Sequence, residues 1–282
     1  MAFCFTRENF EKAAYWCCRA YPENDSGSYW RHIGSLLSSS ERELMNRLNL
    51  VWIELDSREF GGSGTNEPAL FFEISPAGLD TDFIAGYALP MLTGGKAQGA
   101  EEQVRASLEL LPKSAIPVHI GYFPARSPNT VRITAAFDNP AEVLDYCGTL
   151  FGRKMYGRMS SRITELAQFA EFFVLHLDIG RTVEPRIGIE LRFREHEQEL
   201  EYQQRWNGIF TYLTERGLCT QEYARAILQF PGVSRYLSSD SLWPLWYRSF
   251  VYYIKGVFDF SGTERFKAYC AFKQLVPHER YG

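Results

Sequence analysis

Residues 118–137, VHIGYFPARSPNTVRITAAF, decide the fold class because they combine two strand patterns with a turn-forming segment. Residues 118–123 and 131–137 each alternate between two kinds of side chain, and Pro-Ala-Arg-Ser-Pro-Asn lies between them. Alternation with period two is typical of a strand whose two faces meet different surroundings. The stretch therefore predicts an antiparallel strand pair.

Three further strand pairs are predicted on the same grounds, and helical patterns separate all four. The last predicted strand, residues 265–272, reads equally well as a helix. No Pro/Gly/Ser-rich linker marks a domain boundary, so residues 1–282 are predicted to form a single domain. The other strand ranges are 51–56 with 70–74, 174–179 with 186–193, and 251–258 with 265–272; the helical ranges are 7–21, 40–48, 80–111, 161–172, 195–216 and 220–229. A further helix is predicted to begin at Asn139, because Asn139, Pro140 and Glu142 supply an N-cap, a first-turn proline and an acid at the third helical position.

Composition and charge exclude several classes of protein. The formal net charge of -4 lacks the basic excess that nucleic-acid binders use, so no nucleic-acid partner is predicted. No apolar run reaches the length of a membrane span, and charges within the first eight residues argue against a signal peptide. The six cysteines are scattered, which fits a reducing compartment. We therefore expect a cytoplasmic protein without membrane contact.

One face of every predicted strand is polar, charged and aromatic, whereas the other is aliphatic. In an open sheet the polar face would meet solvent and have no function. In a closed sheet it would line a lumen, and the 15% aromatic content favours such a cavity. On the second interpretation the fold class is α+β, with repeated α-β-β-α units forming a closed antiparallel β-barrel surrounded by helices.

The side chains on that face suit an isoprenoid diphosphate. Arginine and lysine bind phosphate oxygens, and tyrosine hydroxyls can donate to them. Aromatic rings can shield an allylic cation, and Glu54 or Glu73 can accept a proton from the acceptor. The predicted diphosphate-binding residues are Arg126, Arg132, Arg192, Tyr253, Lys255, Lys267 and Tyr269. The predicted prenyl and acceptor pocket contains Trp52, Phe71, His119, Phe123 and His176.

The order of strand pairs and helices resembles the ABBA or PT-barrel prenyltransferases, and most closely the branch that prenylates ribosomal peptides in cyanobactin-type pathways. Residues 119–137 are similar to that family's arginine-bearing strand pair, with Arg126 and Arg132 at the diphosphate contacts. Residues 178–193 resemble the following hairpin, and Tyr253-Ile-Lys255 its alternating Tyr/Lys pairs. The resemblance implies transfer of a dimethylallyl or similar group to an electron-rich side chain of a peptide or small acceptor, with magnesium as an aid and no organic cofactor.

Two departures from the family pattern leave alternatives open. The sequence gives four strand pairs where the family has five, so either a pair is hidden around residues 234–247 or the barrel is smaller or open. The family's catalytic acid also has no single match, which leaves Glu54 and Glu73 as alternatives.

Rival chemistries have weaker sequence support. His119 and His176 with Asp56, Glu73 and Asp178 could hold a metal, but no local ligand spacing supports that, so no metal site is predicted. The cysteines Cys147, Cys219 and Cys270 lie in apolar surroundings and are predicted to be buried, not nucleophilic. The alternative function is a non-catalytic peptide- or partner-binding protein. Closure of the sheet is the feature that separates the two functions.

Overall fold

The computed structural model describes residues 2–6, 27–38, 42–54, 68–74, 80–193, 199–236, 245–259, 261–262 and 264–275. The chain forms two compact units. Unit 1 comprises residues 1–137 and 175–187, and unit 2 comprises residues 138–174 and 188–282. The predicted helix at 7–21 lies outside the described residues.

Ten antiparallel strands make up one sheet. Their order is β1-β2-β3-β4-β5-β6-β7-β9-β10, and β8 pairs with β9 off this path. The strands are β1 (Ala2–Thr6), β2 (Leu48–Glu54), β3 (Ala69–Ile74), β4 (Ile116–Tyr122), β5 (Val131–Phe137), β6 (Phe172–Ile179), β7 (Val183–Arg192), β8 (Gly232–Tyr236), β9 (Leu245–Asp259) and β10 (Glu264–Leu275).

Helices form a minority of the described structure. A π-helical turn, Ile84–Ala88, connects α3 to α4, and Pro90 occupies the first turn of α4. The helices are α1 (Gly27–Ser38), α2 (Arg42–Arg47), α3 (Thr81–Phe83), α4 (Leu89–Thr93), α5 (Glu101–Glu109), α6 (Pro140–Phe151), α7 (Arg153–Ala167), α8 (Glu199–Glu215) and α9 (Gln221–Leu228).

The prediction of a closed PT-barrel is wrong. Over the described residues, the strand order runs as an open path from β1 to β10, and these two end strands do not pair. The alternation of side chains in the sequence cannot predict whether the sheet closes, because the strands of a half-buried open sheet and those of a barrel both alternate with a period of two. The end strand β10 also carries lysines and arginine, which are typical of an edge that must avoid unwanted pairing.

The predicted strand pairs are otherwise close to the structure, which resolves one open alternative and adds two strands. Residues 265–272 belong to a strand, because β10 pairs with β9 from Glu264 to Leu275. The region suspected of hiding a strand pair contains β8, which pairs with the beginning of β9. The sequence interpretation missed β1 entirely.

In unit 1, the aliphatic face of the strands forms the core. Val51 and Ile53 of β2 and Leu70 and Phe72 of β3 are completely buried. The hydroxyl of Tyr29 on α1 donates to the backbone oxygen of Leu92 at 2.9 Å, which ties α1 to α4. The polar face of these strands is thereby directed away from the core.

In unit 2, helix caps and a buried tryptophan support the sheet. The side chain of Asn139 accepts from the backbone N–H of Ala141 and begins α6, as predicted. Gly217 ends α8 with a φ of +68°, a conformation that favours glycine. Trp206 of α8 is 1% exposed and lies 4.8 Å from the ring of Phe193.

Candidate functional site

The predicted site residues fall into two groups, one in each unit. Five of the seven predicted diphosphate-binding residues lie in unit 2: Arg192, Tyr253, Lys255, Lys267 and Tyr269. Arg126 and Arg132 lie in unit 1 with Glu54, Glu73, Trp52, Phe71, His119, Phe123 and His176.

In unit 2, stacked rings connect an arginine to the last two strands. The guanidinium carbon of Arg192 lies 4.1 Å from the ring centre of Tyr253 and 4.5 Å from that of Tyr252. Tyr253 stacks on Tyr269 with ring centres 4.4 Å apart, and the two residues are directly opposite in the β9–β10 ladder. We call Arg192, Tyr252, Tyr253, Lys255, Lys267 and Tyr269 the basic–aromatic face.

A β-bulge places two consecutive tyrosines beside the same guanidinium. The β9–β10 register shifts at Tyr269 and Cys270, whose partners are Tyr253 and Val251, so Tyr252 is the extra residue. A bulge redirects a side chain that regular alternation would send to the opposite face. Tyr252 therefore joins Tyr253 against Arg192.

The charges on the basic–aromatic face are concentrated and partly buried. Lys255 is 7% exposed and stands directly opposite Lys267 in the ladder, an arrangement of like charges that destabilises a strand pair. Arg192 is held by Glu190 at 2.7 Å. Burial lowers the pKa of Arg192, but Glu190 and the two tyrosines outweigh it and raise the pKa overall. Arg192 therefore stays charged, and Lys267, which is exposed, adds positive charge at the surface of this face.

Strand β10 is the outer strand of this region and has two different rows of side chains. Arg265, Lys267 and Lys273 occupy alternate positions and are all exposed. Phe266 and Ala268 belong to the opposite row. In the described part of the chain, β9 is the one strand that pairs with β10, so the other edge of β10 has no strand beside it.

A largely apolar cavity of about 270 Å³ lies against β10, where Phe266, Lys267 and Ala268 line it. It is formed between β9, β10 and the helices α8 and α9, and the ring of Tyr223 beside it is 52% exposed. Residues that contribute to its wall include Phe210, Leu213, Cys219, Tyr223, Phe266 and Ala268. We call this space the edge cavity.

In unit 1, the predicted arginines are engaged by carboxylates. Arg132 donates from Nε and Nη2 to the two oxygens of Asp178 at 2.7 and 3.0 Å, and Arg186 donates to Asp178 at 2.8 Å. Burial raises the pKa of Asp178, but the two arginines outweigh it and lower the pKa to about 2. Arg126 pairs with Glu54 at 3.4 Å.

A second polar cluster in unit 1 follows one row across three strands. Glu73, His119 and Thr134 are paired in register on β3, β4 and β5. The Oε2 of Glu73 lies 3.5 Å from Nε2 of His119, and Nδ1 of His119 lies 3.2 Å from the hydroxyl of Thr134. The hydrogen bond to His119 lowers the pKa of Glu73 most, against the opposing effect of burial.

Several residues of these clusters escaped the sequence interpretation. Regular alternation would place Tyr252 on the aliphatic face with Ile254, because nothing in the sequence indicates the bulge. Alternation does place Thr134 and Glu190 on the polar face, but their partners depend on strand register, which alternation does not give. Cys147 is buried as predicted, and burial raises the pKa of its thiol to about 12, whereas Cys270 is exposed, contrary to the prediction.

Comparisons with protein-family models, curated proteins and solved structures found no match to this chain. Within the described ranges, no helix is both long enough and apolar enough to cross a membrane. The same residues contain no group of three or more His, Cys, Asp or Glu side chains placed to hold a metal ion.

Proposed function

We propose that the protein is a non-catalytic binding protein that takes up an acidic, extended peptide segment as an additional strand beside β10. The observation that carries this proposal is the outer edge of β10, which combines an exposed basic row with the edge cavity beside it. An exposed strand edge supplies backbone donors and acceptors for a peptide, and pockets for alternate side chains supply specificity.

Charge supports an acidic partner. Strands β8, β9 and β10 contain six basic and two acidic residues in a chain whose net charge is -4. Opposite charges placed across neighbouring strands stabilise the pair, whereas like charges destabilise it. The same lysines disfavour pairing between the β10 edges of two copies of the protein, since lysine would meet lysine.

The two rows of β10 predict the pattern of the peptide. Side chains on one face of the added strand would lie beside Arg265, Lys267 and Lys273, and those on the other face beside Phe266 and the edge cavity. The preferred segment therefore alternates acidic with medium-sized apolar residues, as in a Glu-Val repeat.

The test is a fluorescence anisotropy titration with a labelled Glu-Val repeat peptide of eight residues. We expect saturable binding that weakens at least ~10-fold in Lys267→Glu, because a favourable cross-strand pair becomes a repulsive one. Lys113→Glu is the matched control, since it makes the same charge change at an exposed position in unit 1 and should bind like the wild type. Absence of binding by the wild type, or equal binding by both variants, would contradict the proposal.

The second candidate is the prenyltransferase with its diphosphate donor and magnesium. It keeps support from one observation, namely that five of the predicted diphosphate-binding residues gather on the basic–aromatic face. Against it, the open sheet removes the closed lumen on which shielding of the allylic cation depended. A calorimetric titration with a non-hydrolysable dimethylallyl diphosphate analogue, with and without magnesium, separates the candidates. Tight binding that Lys255→Ala abolishes would favour the enzyme.

A further inference from the structure

The polar face of unit 1 carries a carboxylate whose position is fixed by several donors. Besides His119, the amide of Asn49 donates to Oε1 of Glu73 at 3.5 Å. The indole N–H of Trp52 also helps to lower the pKa of Glu73, although it makes no hydrogen bond of normal geometry to a described residue. These donors keep Glu73 ionised at neutral pH.

Thr134 orients the ring of His119. The hydroxyl oxygen of Thr134 accepts from the backbone N–H of His119 at 2.9 Å, and its own proton can be donated to Nδ1 of the same histidine. In this arrangement Nε2 carries the ring proton and lies 3.5 Å from Oε2 of Glu73, without a hydrogen bond of normal geometry to a described residue. Both ring nitrogens are directed at protein groups, so His119 positions the carboxylate and leaves ligand contact to Glu73.

Aromatic rings pack around His119, the residue that faces this carboxylate. The ring of His119 stands nearly perpendicular to those of Trp52 and Phe71, at centroid distances of 6.2 and 6.4 Å. Phe71 also packs edge-on against Phe123 at 5.1 Å. Trp52 and Phe71 are directly opposite in the β2–β3 ladder, so Trp52 and Glu73 are diagonal neighbours on the same face.

An ionised carboxylate beside an aromatic face is the combination that binds organic cations. The ring quadrupole attracts the cation, and the carboxylate accepts its N–H groups. The side chains of Glu73 and His119 are 25% and 21% exposed, so a small ligand can reach them. Two arginines of the same unit pair with other carboxylates, Arg126 with Glu54 and Arg132 with Asp178.

We propose that Glu73 and Trp52 form a binding site for a primary alkylammonium ion, with Asn49, His119 and Thr134 as positioning residues. The ammonium donates to Glu73, and its alkyl chain lies against Trp52. This site belongs to unit 1 and does not depend on peptide binding at β10. The ligand is either a free amine or the side chain of a lysine.

The test is an NMR titration that follows the indole N–H resonance of Trp52, identified by its loss in Trp52→Phe. The two probes are n-butylammonium chloride and N-acetyl-lysine amide, and sodium chloride at equal ionic strength controls for screening. We expect a saturable shift with at least one probe. Tighter binding of the lysine derivative by ~10-fold would identify a lysine side chain as the ligand, and equal or weaker binding a free amine.

Variants then separate binding from structural support. Glu73→Gln keeps the side-chain shape and removes the charge, so the affinity should fall at least ~10-fold. Glu102→Gln, on the exposed start of α5, should bind as the wild type does. The proposal is overturned if wild-type protein gives no saturable shift at millimolar ligand, a result that needs no folded variant. An unchanged affinity in folded Glu73→Gln would overturn it equally.

Discussion

At the scale of single residues, Gly121 shows how a missing side chain shapes the polar face of unit 1. A Cβ at this position would lie 2.4 Å from two carbons of the Phe71 ring, which is itself 9% exposed. Contacts this short force the ring or the strand to move. Gly121 is therefore part of the packing that holds Phe71 beside His119.

Gly121→Ala is expected to destabilise the protein by about 1–3 kcal/mol, the usual cost of overpacking. Chemical denaturation measures the change in the free energy of unfolding. Gly157→Ala is the control, because a Cβ there has no heavy atom within 4 Å, and this helical position should gain up to about 1 kcal/mol. A Gly121→Ala protein as stable as the wild type would show that Phe71 is not packed against this strand.

The ion pairs of Asp178 should make the stability of the protein depend on pH in the acidic range. Its pKa is lowered to about 2 by Arg132 and Arg186, so the ionised form is stabilised in the folded state. Asp178 therefore makes its full contribution to the free energy of unfolding above the ordinary aspartate pKa. That contribution is lost as the pH falls through about 2. At neutral pH this contribution to the free energy of unfolding is about 2 kcal/mol.

The measurement compares the free energy of unfolding of the wild type and Asp178→Asn between neutral pH and pH 2. The difference should shrink as Asp178 becomes protonated. Asp82→Asn provides the control, since Asp82 pairs with Arg105 but its side chain is 79% exposed. A constant difference between the wild type and Asp178→Asn over this range would contradict the ion-pair assignment.

At the scale of elements, the start of α6 was predicted from sequence in detail. Asn139 followed by Pro140 and Glu142 is a complete local signal, and local signals are the part of a fold that sequence predicts best.

We expect Asn139→Ala to lower the free energy of unfolding by about 1 kcal/mol, because the helix loses its N-cap. Asn207→Ala, at an exposed position inside α8, should be neutral or slightly stabilising. Equal effects of the two substitutions would argue against the cap.

Strand β10 shows where local sequence is insufficient. Residues 264–272, ERFKAYCAF, fit either a helix or a strand by their own pattern. Pairing with β9 decides the matter, because the ladder extends over the whole of β10. Such tertiary context overrides intrinsic preference. The bulge at Tyr252 also arises from the pairing of β9 with β10, and local sequence does not specify that pairing. The contact of Tyr252 with Arg192 could therefore not be predicted.

At the scale of the whole molecule, the sequence predicted four strand pairs and their polar faces but not how the sheet ends. The ends depend on short or distant strands: β1 has five residues, and β8 follows α9 without a clear alternating pattern. The prediction of the site had the same limit, since it identified residues but not their arrangement. Composition and alternation selected every residue of the basic–aromatic face except Tyr252, whereas the division of the predicted residues between two units required the structure.

The uneven charge of the chain leads to a prediction about salt. The segment from β8 to β10 is basic although the chain as a whole is acidic, so an acidic peptide is attracted locally. Raising the ionic strength should weaken binding of the Glu-Val repeat peptide and slow its association. Stopped-flow anisotropy at several salt concentrations measures both quantities. Affinity that does not change with salt would mean that apolar contacts in the edge cavity dominate.

The most direct test of the central claim is amide hydrogen exchange along β10, measured with and without the Glu-Val repeat peptide. If the peptide adds as a strand, amides of β10 that point away from β9 should become protected, while those of β2 in unit 1 should not change. We expect protection that alternates along Glu264–Leu275. Binding without any protection of β10 would contradict it.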